Sequence, residues 1–390
     1  MRHTTYLLAG LFLAAFTLVA CGRPVAQTWP GVSTDNHFAY VAQGSQVHAI
    51  NVADGKEAWA FPAAADANIG QIVSQPGISP QVIVVGSEGA TGTYSGVLYG
   101  LDPATGQRKW CLAFDQKGAQ KQSCPIANID QPPSLFGFLS GAVDNRIIGG
   151  MTITNGVVYF GLASGYVLAV DITKGTDLWH YKALRDIWAE PVVDANNVYI
   201  ASLDHNLYAV DRATGLLKWQ KDLGAAVAGA PTLADGTLYV GTLGNKLYAL
   251  DATNGNDRWP AFVATNWVWG GPFIDQGVLY FTDVSGTVYA VHADTGQQIW
   301  SQKPGGAKRA HPVLAGDELI VGDHDGNLYA LKPADGTTIW QRSLKGQLLV
   351  PALVVSDTVL VAPYSSVITD NLLAAYSFSG DLKWAFAPSK

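Results

Sequence analysis

Eight times in this 390-residue chain a tryptophan follows a glycine four positions before it. The tryptophans are Trp59, Trp110, Trp179, Trp219, Trp259, Trp300, Trp340 and Trp384. Their glycines are Gly55, Gly106, Gly175, Gly215, Gly255, Gly296, Gly336 and Gly380. A third position keeps the same register: ten residues before each Trp stands Ala49, Gly100, Ala169, Ala209, Ala249, Ala290, Ala330 or Ala374. A period of about forty residues is the mark of a repeat architecture, in which each copy buries its apolar face only against its neighbours.

Each copy reads as one supersecondary unit. In the fifth, apolar residues from Ala228 to Leu233 are followed by Asp235-Gly236, then Leu238–Thr242, Gly244-Asn245, Leu247–Asp251, a turn reaching Gly255, and the segment of Trp259. Short runs punctuated by Gly, Asn and Asp predict antiparallel hairpins. Four such strands make a propeller blade. The expected fold is all-β: one closed eight-bladed β-propeller over residues 29–388. The glycine supplies a left-handed turn, the indole a large apolar surface with an N–H to satisfy, and the small residue the room beside it. Together they predict a device that docks blade to blade. A box of eight tryptophans around a cofactor is the competing reading, and the equal presence of the pattern in every copy speaks against it.

Successive tryptophans lie 51, 69, 40, 40, 41, 40 and 44 residues apart. The surplus falls in two places. Gly86 to Gly96 lengthens a hairpin of the second blade, and about thirty extra residues lie between Cys111 and Arg146. This long insertion (about 111–146) includes Pro132-Pro133 and Leu135-Phe136-Gly137-Phe138-Leu139. Long loops on a rigid scaffold often carry partner contacts; the alternative is that these aromatics fold back and cap the propeller.

At the N-terminus a short basic start (Arg2, His3) precedes an apolar run from Tyr6 to Ala20. About fifteen residues is the length of a signal-peptide core and short for a membrane span. The run ends in Leu18-Val19-Ala20-Cys21-Gly22, which resembles the bacterial lipobox. The resemblance implies a lipoprotein signal peptide (1–20), acylation of Cys21 as the mature N-terminus, and a lipid-anchored tether (21–28). The other reading is an ordinary signal peptide with an incidental cysteine. Either way the chain is exported. In an oxidising compartment the remaining cysteines, Cys111 and Cys124, can form one disulfide or stay as two thiols. Their spacing, without a partnering His pattern, is a weak zinc signal. The chain has 24 basic and 31 acidic residues, net −7. That balance argues against nucleic acid and against broad attraction to anionic lipid.

The frame A-x-D-x-x-T-G-x-x-x-W resembles the quinoprotein-type propeller repeat and covers essentially all of 29–388. Its Asp holds at Asp102, Asp171, Asp211 and Asp251 and lapses to Asn51, His292, Lys332 and Tyr376. Dehydrogenases and non-catalytic scaffolds share this repeat, so function must come from sites. Quinoprotein dehydrogenases are expected to carry a vicinal cysteine pair, a stacking Trp and acidic calcium ligands. Here Cys111 and Cys124 are thirteen apart. The non-repeat Trp188, Trp267 and Trp269 could offer an aromatic floor, but no matching ligand set accompanies them. HExxH, GxSxG and P-loop patterns are lacking. The best polar cluster, Asp323-His324-Asp325-Gly326-Asn327, could hold a cation weakly. It falls where every blade has a hairpin turn, as at Leu203-Asp204-His205-Asn206, and a turn is the expected role. No catalytic residue, cofactor or metal is expected.

A lipobox followed by an eight-repeat Trp propeller resembles the outer-membrane assembly factor family BamB. The resemblance implies a non-catalytic lipoprotein scaffold that binds a BamA-like barrel-forming subunit at the periplasmic face of the outer membrane. Two contact stretches of that family can be carried over. A Leu-x-Leu-Arg stretch corresponds to Lys182-Ala183-Leu184-Arg185, where Leu184 and Arg185 match and Lys182 departs. An Asp-x-x-Asp hairpin corresponds to Asp283-Val284-Ser285-Gly286, where Asp283 matches and Gly286 departs. Leu184, Arg185 and Asp283 are therefore the expected partner contacts. A dehydrogenase-like enzyme using pyrroloquinoline quinone, and a surface propeller binding carbohydrate or peptide, are the alternatives.

Overall fold

Alternating runs closed by tight Gly, Asn and Asp turns fold here four strands at a time, each strand beside the one before it. The computed structural model describes residues 31–388 except 73, 90–94, 117, 118, 120, 121, 128, 130–142 and 366–370. The leader, Cys21, the tether, Pro132-Pro133 and the segment 135–139 lie outside the described residues. Among the described residues there are eight four-stranded antiparallel sheets, the eight blades of a β-propeller. Blade four is representative: Val192–Val193, Asn197–Ala201, Asn206–Asp211 and Leu217–Asp222, from the axis outward. Every blade is one uninterrupted stretch, from Gly31–Phe61 in blade one to Leu353–Phe386 in blade eight.

The core lies between blades. Tyr199, Leu207 and Ala209 of blade four pack with Leu238, Val240 and Leu250 of blade five. Second and third strands are buried, whereas outer strands such as Leu217–Asp222 alternate toward solvent.

The repeated tryptophans lie at the joints between blades. Each indole N–H donates to a backbone carbonyl of the next blade, at 2.7–3.2 Å. Trp219 donates to Ala252 O and Trp300 to Pro333 O. The ring lies against the glycine of that next blade. A Cβ on Gly255, whose φ is +74°, would stand 2.8 Å from Trp219. The small residue faces the Trp across the third and fourth strands, as Ala209 faces Trp219. Ring closure uses the same joint: Trp384 donates to Val52 O and covers Gly55.

Three expected positions need correction. In blade eight the residue opposite Trp384 is Ala375, not Ala374. The turn before Gly380 is one residue shorter, so Ser377, not Tyr376, takes the place that Asp251 holds in blade five. In blade five Trp259 does not sit on a strand, because Pro260 cannot donate to a ladder; the outer strand resumes only at Phe262–Val263.

Cys111 and Cys124 are joined as a disulfide with Cα atoms 5.3 Å apart. The chain after Cys124 runs back along blade two, with Ala113 N–H donating to Pro125 O and Ala127 N–H to Ala113 O. Ala127 and Ile129 are buried between blades two and three. The described start of the insertion thus folds back onto the propeller. At its far end Arg146 is buried and pairs with Asp144 at 2.7 Å and Glu88 at 3.6 Å.

Candidate functional site

Two kinds of turn meet on one face of the ring. One is the hairpin between second and third strands; the other is the loop from an outer strand to the next inner strand. Backbone hydrogen bonds tie them together: Leu203 N–H to Asp186 O, Leu243 to Ala226, Val284 to Trp267 and His324 to Ala307. The Leu184-Arg185 loop and the Asp283 hairpin therefore lie on the same face, two blades apart.

Leu184 is 83% exposed and Arg185 is exposed beside it. The loop is nonetheless fixed. Leu184 N–H donates to Asp204 Oδ2 at 2.9 Å, and Tyr208 OH donates to the same oxygen at 2.8 Å. Burial works against the Asp204 charge, but the bonds from Tyr208, Asn206 and Leu184 hold its pKa below the usual carboxylate range.

Asp283 is fully buried, which corrects its expected role as a direct contact. Its carboxylate accepts from Ser285 N–H, Ser285 OH, Thr287 N–H, Tyr289 OH and Asn266 N–H. It has no face left for a partner. Its effect is to hold Asn266, and with it the neighbouring Trp267, which is 46% exposed. Asp323 is equally buried and holds Gly306 N–H and Tyr329 OH the same way. The Asp323–Asn327 cluster is thus a hairpin brace. The bracing carboxylate is the first turn residue in blades six and seven and the third in blade four.

Trp267, which the sequence offered only as one of three residues that could form an aromatic floor, is a surface residue. The loop separates the three residues Trp267-Val268-Trp269: Trp267 faces solvent, Val268 is buried, and Trp269 lines the axial cavity. Lys308 stands where other blades place Ile187, Val227, Val268 and Leu348. It is fully buried, with its ammonium donating to Pro304 O and to Gly306 O. Burial lowers its pKa to about 8, against the pull of Asp323, Asp283 and Asp325.

The same loops descend into an axial cavity of about 280 Å³. Its mouth is lined by Trp188, Trp269, Arg309 and Leu349. The two indoles are tilted 39° with centroids 6.5 Å apart, and the Arg309 guanidinium lies 4.7 Å over Trp269. Deeper, one residue from each blade forms a ring in which only Gln75, Glu190 and His311 carry polar side chains. Burial pushes the Glu190 carboxyl above the usual range and the His311 imidazole below its own. A quinone with calcium does not fit these residues. The guanidinium already covers one indole face, Glu190 is the only acid in the lining among the described residues, and the cysteines bond each other at the outer edge of blade two. Among the described residues no three His, Cys, Asp or Glu side chains cluster to hold a metal ion.

Comparison with known proteins agrees with this architecture. The chain is similar to the outer membrane protein assembly factor BamB of Yersinia pestis, 25% identical over 186 residues. That stretch is 47% of this chain and 41% of the relative, so less than half of the relative's length is spanned. A second similarity, 30% over 100 residues, is to the serine/threonine-protein kinase AfsK of Streptomyces griseus and covers 11% of it. Among solved structures, BamB from Moraxella catarrhalis shares the fold with a TM-score of 0.65 at 23% identity, covering 85% of this chain and 90% of that one. The quinohemoprotein alcohol dehydrogenase of Comamonas testosteroni shares it equally, with a TM-score of 0.65 at 15% identity, covering 92% and 75%. The propeller fold therefore does not separate scaffold from enzyme. The sequence model of one family does match nearly the whole chain, over residues 20–206, 163–266 and 260–387. This protein belongs to that family, described as outer membrane protein assembly factor BamB.

Proposed function

We propose that the protein is a non-catalytic, membrane-anchored scaffold that assists assembly of β-barrel proteins in an outer membrane. It docks a BamA-like barrel subunit with the face that carries Leu184 and Arg185. The observation that carries this reading is an 83% exposed leucine on a loop held rigid from beneath by Asp204. A pre-ordered apolar side chain next to an arginine loses little entropy on binding and offers forked hydrogen bonds. Trp267, exposed on the same face, extends the contact surface. Asp283 contributes by holding the Trp267 loop rather than by touching the partner.

Changing Leu184 and Arg185 together to Ala should leave the fold intact and cut recovery of the barrel subunit from solubilised membranes. Each lost hot-spot side chain is worth about 1–2 kcal/mol or more, so the pair should cost at least about tenfold in affinity. Wild-type recovery with the double variant would remove these residues from the interface. Anchoring is proposed through acylated Cys21 at the periplasmic face. Cys21→Ser should move the protein from the membrane to the soluble fraction, and mass spectrometry should find acyl chains on the wild type alone.

A further inference from the structure

In three blades a hydroxyl of the inner strand donates to the proline carbonyl that opens the next blade. Ser33 OH reaches Pro76 O at 2.7 Å, Thr152 OH reaches Pro191 O at 2.5 Å, and Thr232 OH reaches Pro272 O at 2.5 Å. A carbonyl can only accept, and a hydroxyl has one hydrogen to give. At Thr152 a further oxygen crowds in: Glu190 Oε1 lies 2.9 Å from the same hydroxyl oxygen. That contact also needs a hydrogen, and the one on Thr152 is committed to Pro191. With the Thr152 hydrogen on Pro191 O, the hydrogen of this second contact comes from Glu190.

We propose that Glu190 is an un-ionised acid at neutral pH, and that its O–H, donated to Thr152 Oγ1, latches the axial end of the 183–191 loop of blade four to blade three. The surroundings suit a neutral acid. The other carboxyl oxygen is tucked over Gly150, where a Cβ would stand 2.4 Å from it. Around the cavity the facing groups are Gln75, which is uncharged, His311, kept neutral by its burial, and Arg309, laid against Trp269. Burial is the larger influence on the Glu190 carboxyl and favours its neutral form. The loop is then pinned at both ends: Leu184 by the ionised Asp204, Glu190 by its own proton. The sign follows from the raised pKa. The latch is present below the ordinary glutamate range and is lost as pH rises through the higher native value.

Infrared spectra of the whole protein at neutral pH should contain the carbonyl stretch of an un-ionised carboxylic acid that Glu190→Gln lacks. Thr152→Val, which removes the acceptor, should shift that band. Amide exchange across 183–191, corrected for its intrinsic pH dependence, should quicken between about twofold and tenfold as the wild type is taken alkaline, the worth of one hydrogen bond. In Glu190→Gln, whose amide N–H can make the same bond, it should stay flat. Identical carboxyl bands in wild type and Glu190→Gln would overturn the proposal. So would a band unmoved by Thr152→Val, or loop opening with pH that is the same in Glu190→Gln as in wild type.

Discussion

At the scale of single residues, the joint between blades is an indole, a glycine and a carbonyl. Trp219→Ala removes a large apolar contact and the donor to Ala252 O. It should cost roughly 2–4 kcal/mol in urea unfolding, the lower part of the range for emptied aromatic sites because Trp219 keeps some exposure. Lys308 is the opposite case, a charge where its counterparts are aliphatic. Its pKa is about 8 in the folded chain against an ordinary 10.5, so the unfolded chain binds more protons between those values and stability rises with pH across that window. The rise should approach about 3 kcal/mol in denaturant titrations from pH 8 to 10 and above, and should vanish in Lys308→Met. The Trp–Gly pairing was legible in the sequence because both members recur in every copy. The Asp283 role was not. A carboxylate in a turn reads the same whether it faces water or is enclosed by five donors, and only its Tyr289, six residues on, hints at the second case.

At the scale of elements, the hairpins act as brackets for the loops beside them. Tyr208, Tyr289 and Tyr329 each reach a turn carboxylate, and that carboxylate holds a backbone N–H of the neighbouring loop. Asp283→Asn keeps the size but turns an acceptor oxygen into a donor facing donors. The expected loss is about 1–3 kcal/mol of stability, with faster amide exchange from Thr265 to Val268, both measurable on the purified domain. In blade five the bracket is missing because Gly244 takes the carboxylate position of blade four, and Tyr248 bonds Leu223 O instead. Strand order and turn positions could be read from alternation and Gly spacing. The broken outer strand at Pro260 was readable in principle, since a proline inside a ladder removes a donor. The one-residue shortening before Gly380 was hidden, because the Trp–Gly distance it leaves behind is unchanged.

At the scale of the molecule, the fold was legible because one rule is applied eight times, and the site was legible only in part because a site is where copies differ. Leu184 stood out by resemblance. Trp267 did not, since it lies in a loop, where sequence does not fix which side chain faces solvent. Glu190 is legible only in three dimensions: its partner Thr152 is thirty-eight residues away, in another blade. The seam between blade eight and blade one carries the same indole, glycine and carbonyl as the other seven joints, and no strand is exchanged across it. The ring therefore has no mechanical beginning. Blade number one is a fact about translation rather than about the structure, and a chain cut between any other two blades and rejoined across this seam would keep every joint it needs to close.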